Sequence, residues 1–142
     1  MPANFSPIYT RVGDIQWVTT GYMTAANTTA DLTSGTTYLA FTADATNGGF
    51  LRSLRFKATP AGNTTATVAR VWINNGSTTG TAANNTLFGE ITLPLTTATG
   101  TAATAEYEYP MNVALPPAYA VYLTIHTASA NGWKVTAVAG KY

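Results

Sequence analysis

The sequence contains no cysteine. That excludes a disulfide framework and any thiolate metal site, and it leaves the redox compartment open. Charge is scarce as well: 9% of residues carry one, against roughly 25% in an average soluble domain. Seven basic and six acidic residues nearly cancel, leaving a net charge of +1. A balance this close to neutral gives no electrostatic footprint for nucleic acid or for an anionic membrane surface. No apolar run approaches the ~18 residues of a membrane-spanning helix. The opening MPANFSPIYTRVGD has neither the basic nor the apolar stretch of a signal peptide, so synthesis in a cytoplasm is the expectation. Helical periodicity is missing too, with no sustained i, i+3, i+4, i+7 apolar pattern built from good helix formers.

What is present is a chain of 142 residues, 46% apolar, in which about one residue in five is threonine. That length is most simply one domain with a single sizeable core. Threonine suits strands because its branched Cβ fits a pleated surface. Period-two alternation recurs along the chain. Ile15 and Trp17 share a face in IQWVTTGYM, and TTYLAFTA (residues 36–43) is a short, mostly apolar strand. Leu54, Phe56 and Ala58 alternate with Arg55 and Lys57, and Ala69, Val71 and Ile73 alternate with Arg70 and Trp72. Leu87, Gly89, Ile91 and Leu93 form another apolar set, followed by Tyr107, Tyr109, Met111, Val113 and Leu115. Val121, Leu123 and Ile125, then Trp133, Val135 and Ala137, complete the series. Turn signals separate these runs, among them TNGG, PAGN, NNGS, LPPAY and SANG.

The expected fold is therefore all-β: a single-domain, jelly-roll-like β-sandwich of about eight strands over residues 15–142. Pro110 falls inside a strand pattern, which predicts an edge strand or a bulge there. Residues 1–14 read as an extended N-terminal arm, because Pro2 and Pro7 oppose regular structure while Phe5, Ile8 and Tyr9 are too apolar for a solvated tail. Phe5, Ile8, Tyr9 and Arg11 are candidate contacts of that arm with its own sandwich or with a neighbouring subunit. The loops between Asn74 and Pro110 are built almost wholly from Thr, Ala, Gly and Asn. Small neutral side chains can lie on a partner without stranding a buried ion, so these loops read as contact or spacer surfaces.

Chemistry is hard to assemble from these residues. His126 is the only histidine and sits on the polar face of its strand pattern. With six scattered acidic residues and no cysteine it makes no convincing zinc site, and no GxSxG elbow or DxDxDG loop occurs. Glu106 and Glu108 are the one close carboxylate pair, sharing a strand face about 7 Å apart. That spacing approaches a glycosidase pair, but both lie on the polar side of an edge-like strand and read as solvated, with a Ca²⁺ ligand or a partner for an intersubunit arginine as the alternatives. Gly48-Gly49 precedes a strand rather than a helix and is no phosphate cradle. Arg52, Arg55, Lys57 and Arg70 make a basic stripe only if the strands of Arg55 and Arg70 are neighbours. Trp17 and Trp133 fall on apolar faces and are expected in the core. Trp72 is out of phase with Val71 and Ile73, which makes it the best exposed aromatic; it reads as core or subunit interface, with a sugar platform as the alternative. No enzyme, cofactor or metal site is expected.

From FKATP through ARVWINNG and LFGEITLP to EYEYPMNVALPPAY and GWKVTAV, the chain resembles a group of small phage and prophage structural proteins. The likeness runs over about residues 50–140 and leaves the first 49 residues without a counterpart. It implies a non-enzymatic virion component, made in the host cytoplasm. The form it most implies is a homotrimeric decoration or cement protein on the head shell, with the major capsid protein or another virion protein as partner. A tail, baseplate or host-recognition module that binds carbohydrate is the alternative.

Overall fold

Strand forms at every place where the sequence alternates. In the computed structural model, which describes residues 10–29 and 31–142, the strands are β1 (Val12–Trp17), β2 (Tyr38–Thr42), β3 (Gly49–Ala58) and β4 (Thr67–Asn74). They continue with β5 (Asn85–Leu93), β6 (Glu106–Leu115), β7 (Ala120–Ile125) and β8 (Trp133–Lys141). A three-residue 3-10 turn, Ala82–Asn84, is the one helical element among the described residues.

The strands make two four-stranded antiparallel sheets, ordered β1-β8-β3-β6 and β2-β7-β4-β5. Strand β1 lies beside β8, β2 beside β7, β3 beside β6 and β4 beside β5. That nesting is one long hairpin folded in half repeatedly and rolled, which is the jelly roll. The expected fold class is met.

The inner faces carry the core the alternation assigned. Leu54, Phe56 and Ala58 on β3, Ala69 and Val71 on β4, Leu123 and Ile125 on β7, and Trp133, Val135 and Ala137 on β8 are all fully buried in one cluster. Each sits opposite another inward residue in register, as in Phe56 with Val135 and Val71 with Leu123.

Four details depart from, or refine, the reading above. First, β1 begins at Val12, so residues 12–14 belong to the sandwich and not to the arm. Phe5, Ile8 and Tyr9 lie outside the described residues. Arg11 is exposed and its backbone N–H donates to the Lys141 carbonyl at 2.7 Å, just ahead of β1. Second, Ile15 and Trp17 are not core: they are 54% and 52% exposed. The inward positions of β1 are Asp14 and Gln16, with Gln16 opposite the buried Ala137. The Gln16 amide spans to the other sheet, donating from Nε2 to the Thr42 carbonyl (2.8 Å) and accepting the Thr42 N–H at Oε1 (2.9 Å). A polar residue thus closes this edge of the sandwich, and the apolar pair faces out.

Third, β5 changes phase. Val71 opposes Gly89 while Trp72 opposes Leu87, so Phe88 is an extra residue on β5. Leu93 and Ile91 stay with the core, but Leu87 turns outward and is exposed. Fourth, Pro110 does lie on an edge strand, beside a register shift between Leu51 and Ser53. An edge strand beside a register shift is where a sheet tolerates a proline.

Candidate interaction faces

The outer face of the first sheet is laid out by register, since residues directly opposite in an antiparallel pair share a face. One row runs Ile15, Val138, Ser53, Pro110, and the next runs Trp17, Thr136, Arg55, Glu108. Lys134, Lys57 and Glu106 follow. Apolar side chains therefore hold the β1 side and charges hold the β6 side. A shallow concavity of about 510 Å³ lies between, lined by Ile15, Arg55, Lys57, Glu106, Thr136 and Val138 among others.

Glu106 accepts from Arg55 Nη2 at 2.7 Å. Lys57 is 4.0 Å from the other oxygen and donates to the Thr104 carbonyl at 2.5 Å. Both glutamates are exposed, and β6 is an edge strand. The Glu106 carboxylate is thus tied to its own chain's arginine, in a solvated pair of the kind worth ~0.2–1 kcal/mol. Arg55 is on β3 and Arg70 on β4, in opposite sheets, so the conditional basic stripe does not form.

The outer face of the second sheet carries Leu39, Tyr122, Trp72 and Leu87 in one row across all four strands. Trp72 is on this face, as its phase indicated, but it is not the exposed aromatic: it is 4% exposed. It stands on a central strand with Tyr122 and Leu87 opposite it on either side, and its indole Nε1 donates to the buried Thr124 hydroxyl at 3.1 Å. Alternation identified the face and could not report what covers it. Beside this row, Arg70 Nε donates to Glu90 at 2.9 Å, and Arg70 Nη1 lies 3.5 Å from His126 Nδ1. His126 is exposed and borders a structural ion pair.

The first long neutral loop is tied to itself, and the second to the β3–β4 loop and the end of β3. After β4, Asn75 N–H donates to the Asn84 carbonyl, and Asn75 Nδ2 donates to Asn84 Oδ1 at 3.2 Å. Asn84 and Asn85 amides then hold the Thr78 and Thr79 carbonyls at 2.9 and 2.8 Å. In the next loop the Thr64 and Thr96 hydroxyls meet at 2.8 Å, and Thr104 Oγ1 donates to the Ala58 carbonyl. Two loop aspartates act likewise. Backbone N–H donation from Asn47 and Thr46 holds the Asp44 carboxyl below its ordinary 3.8. The hydroxyl and then the backbone N–H of Thr33 do the same for Asp31.

Among the described residues no group of three or more His, Asp or Glu side chains is placed to hold a metal ion. The cleft missed by sequence reasoning lies at the β1–β2 edge. It holds about 250 Å³ and is lined by Ile15, Gln16, Trp17, Thr19, Leu39 and Ala40. The signal that pointed to it was the pair Ile15/Trp17 itself, assigned to the wrong face.

No protein-family model, curated protein or solved structure matches this chain.

Proposed function

We propose that this is a non-enzymatic structural protein of a bacteriophage virion, a decoration or cement protein that stabilises the head shell. The observation that carries the reading is the division of labour on the jelly roll. The two long loops between Asn74 and Pro110 are uncharged and hydrogen-bonded within their own chain, while large apolar side chains stand exposed on the sheet edges and outer faces, Ile15, Trp17, Leu39 and Phe88 among them. Such a surface suits association with other protein surfaces. Of its one carboxylate pair, Glu106 is engaged by Arg55 and Lys57 in solvent, an arrangement suited to holding strands together. In this reading the protein self-associates and sits on the major capsid protein or another shell protein. The test is co-sedimentation of purified protein with heads stripped of it, followed by thermal challenge of the heads. Binding with raised head stability is the expected result, and no binding to any virion shell would overturn it.

A second reading, a carbohydrate-binding sandwich of the tail or host-recognition apparatus, is favoured by one observation. Trp17 stands exposed in the same row as Thr136 and Arg55, beside the mixed concavity of that face. Stacking and hydroxyl recognition use that combination of groups. Saturable binding on a glycan array, lost in Trp17→Ala, would select this reading over the first.

A further inference from the structure

The four edges of this sandwich are not equally protected. An edge strand presents unpaired backbone groups, and natural sheets blunt them with proline, charge, bulges or short length. On β6 there are Pro110, Glu106, Glu108 and a register shift. On β5 the extra residue Phe88 breaks the ladder and Glu90 adds charge. On β2 there are five residues with a register shift between Leu39 and Phe41. On β1 there is no proline, no outward-facing charge and no register shift: its one charged residue, Asp14, faces inward, and all six residues pair with β8. Among the described residues nothing pairs with its other edge. That same edge carries the exposed Ile15 and Trp17 and the 250 Å³ apolar cleft shared with Leu39.

We propose that β1 is a self-pairing edge: two copies join antiparallel through β1 across a two-fold axis at Ile15, making one continuous eight-stranded sheet. The sequence of the strand is self-complementary in that register. Placing Ile15 opposite Ile15 puts Gly13 opposite Trp17 and Asp14 opposite Gln16. The Trp17 ring then lies over a glycine, and a Cβ built on Gly13 meets nothing within 4 Å, so the space is open. An aromatic side chain covering a glycine across an edge is a recurrent way to stabilise strand pairing. Asp14 can exchange its own Gln16 amide, which donates to it at 3.1 Å, for the partner's, so no carboxylate is set against another. Shifting the axis to Asp14 would oppose two carboxylates, and shifting it to Gly13 would leave Trp17 without a partner. Backbone bonds supply attraction and the alternating side chains supply register, as in strand addition generally.

The second copy's β1 is the occupant that this self-complementary register selects. Thr10 packs over Gly140 on β8, so close that a Cβ on Gly140 would meet its side chain at 2.6 Å. Strand β8 is the neighbour on the side of β1 away from the free edge. Thr10 thus lies on the β8 side of β1, away from the free edge. A seam of one short strand falls below the ~1,200 Å² of a stable standard interface. The pairing is accordingly weak in dilute solution and strengthened wherever copies are crowded together. It is a two-fold contact, independent of the virion reading, and a trimer would use another surface.

Because the chain lacks cysteine, one substitution tests the axis. Opposed residues in an antiparallel pair have Cα atoms ~4.5–5.5 Å apart, within disulfide range. The full chain with Ile15→Cys is expected to oxidise to a covalent dimer, while Leu87→Cys and Leu39→Cys remain largely monomeric. Sedimentation velocity of the unmodified chain should show mass rising from monomer towards dimer with concentration. Ile15→Lys, which opposes two charges on the axis, should weaken that association by at least about tenfold with an unchanged circular dichroism spectrum. If Ile15→Cys crosslinks no better than the controls, or the unmodified chain stays monomeric at the highest soluble concentration, the proposal is wrong. Crosslinking only after removal of residues 2–9 would mean that the chain's own N-terminal segment covers the edge, which also overturns it.

Discussion

The three tryptophans occupy three environments, and one period-two reading placed only one of them. Trp133 was legible because it is in phase with Val135 and Ala137 on a central strand whose inner face is wholly apolar. It is fully buried and packs at 5.7 Å from the Tyr107 ring. Trp133→Ala should therefore cost about 3–5 kcal/mol, read by chemical denaturation, and a loss under about 1 kcal/mol would contradict its place in the core. Its Nε1 finds no acceptor among the described residues. Phenylalanine removes that unpaired donor while keeping an aromatic ring, so Trp133→Phe should cost well under half as much as alanine. Trp17 is the contrasting case. Its phase with Ile15 was read correctly, but an edge strand whose inner positions are Asp14 and Gln16 has its apolar face outside. Trp17→Ala should change folding stability by less than about 1 kcal/mol, and a loss of core magnitude in the same denaturation experiment would refute its exposure.

At the scale of elements, existence was more legible than boundaries or phase. All eight strands were anticipated, because a half-buried strand must alternate and nothing else in this chain imposes period two. Phase failed at Leu87, where the extra residue Phe88 turns the chain by one position, and no local sequence signal distinguishes a bulge from a regular pair. Turns were legible where glycine is required. Gly48 has φ +74, and a Cβ there would run into the Leu115 carbonyl. Gly48→Ala should destabilise by about 1–3 kcal/mol through left-handed backbone and that clash, measured by thermal unfolding, whereas Gly100→Ala, with the same φ of +74 but nothing nearby, should cost less. The same turn is pH-sensitive. Asp44 Oδ1 accepts the Thr46 and Asn47 N–H groups at 3.0 and 2.9 Å, and its carboxyl is held below 3.8 for that reason. A depressed folded-state value means that the ionised group stabilises the fold above the ordinary carboxylate range, and that this is lost as pH falls through the folded value. The Tm gap between the natural chain and Asp44→Asn should thus be widest near neutrality and close as pH drops below 3.8. A gap independent of pH would show that the carboxylate charge is irrelevant to the turn.

The whole molecule was legible as a class and not as a topology. Eight short strands with frequent turns imply a sandwich, but which strand lies beside which depends on pairings such as β1 with β8 that span the whole chain. The exposed faces follow from that order, which is why the Ile15, Trp17 and Leu39 cleft could not be assembled from sequence alone. Topology also sets what the N-terminal segment can be removed without harming. Val12 to Trp17 pairs with the last strand, so a cut inside residues 12–14 would remove ladder partners of Lys141, Gly140 and Ala139. A cut ahead of Thr10 leaves every described pairing intact, including the Arg11 bond to Lys141. Deleting residues 2–9 should therefore leave a folded β domain whose Tm changes little. The removed stretch carries Phe5, Ile8 and Tyr9, apolar side chains worth about 25 cal/mol per Å² of area they bury on a partner. In the proposed virion role that area is spent on the shell, so the truncated protein should bind stripped heads more weakly than the full chain while still pairing through β1. Equal head binding by the two proteins would remove the N-terminal residues from assembly, and an unfolded truncated chain would instead make them part of the sandwich.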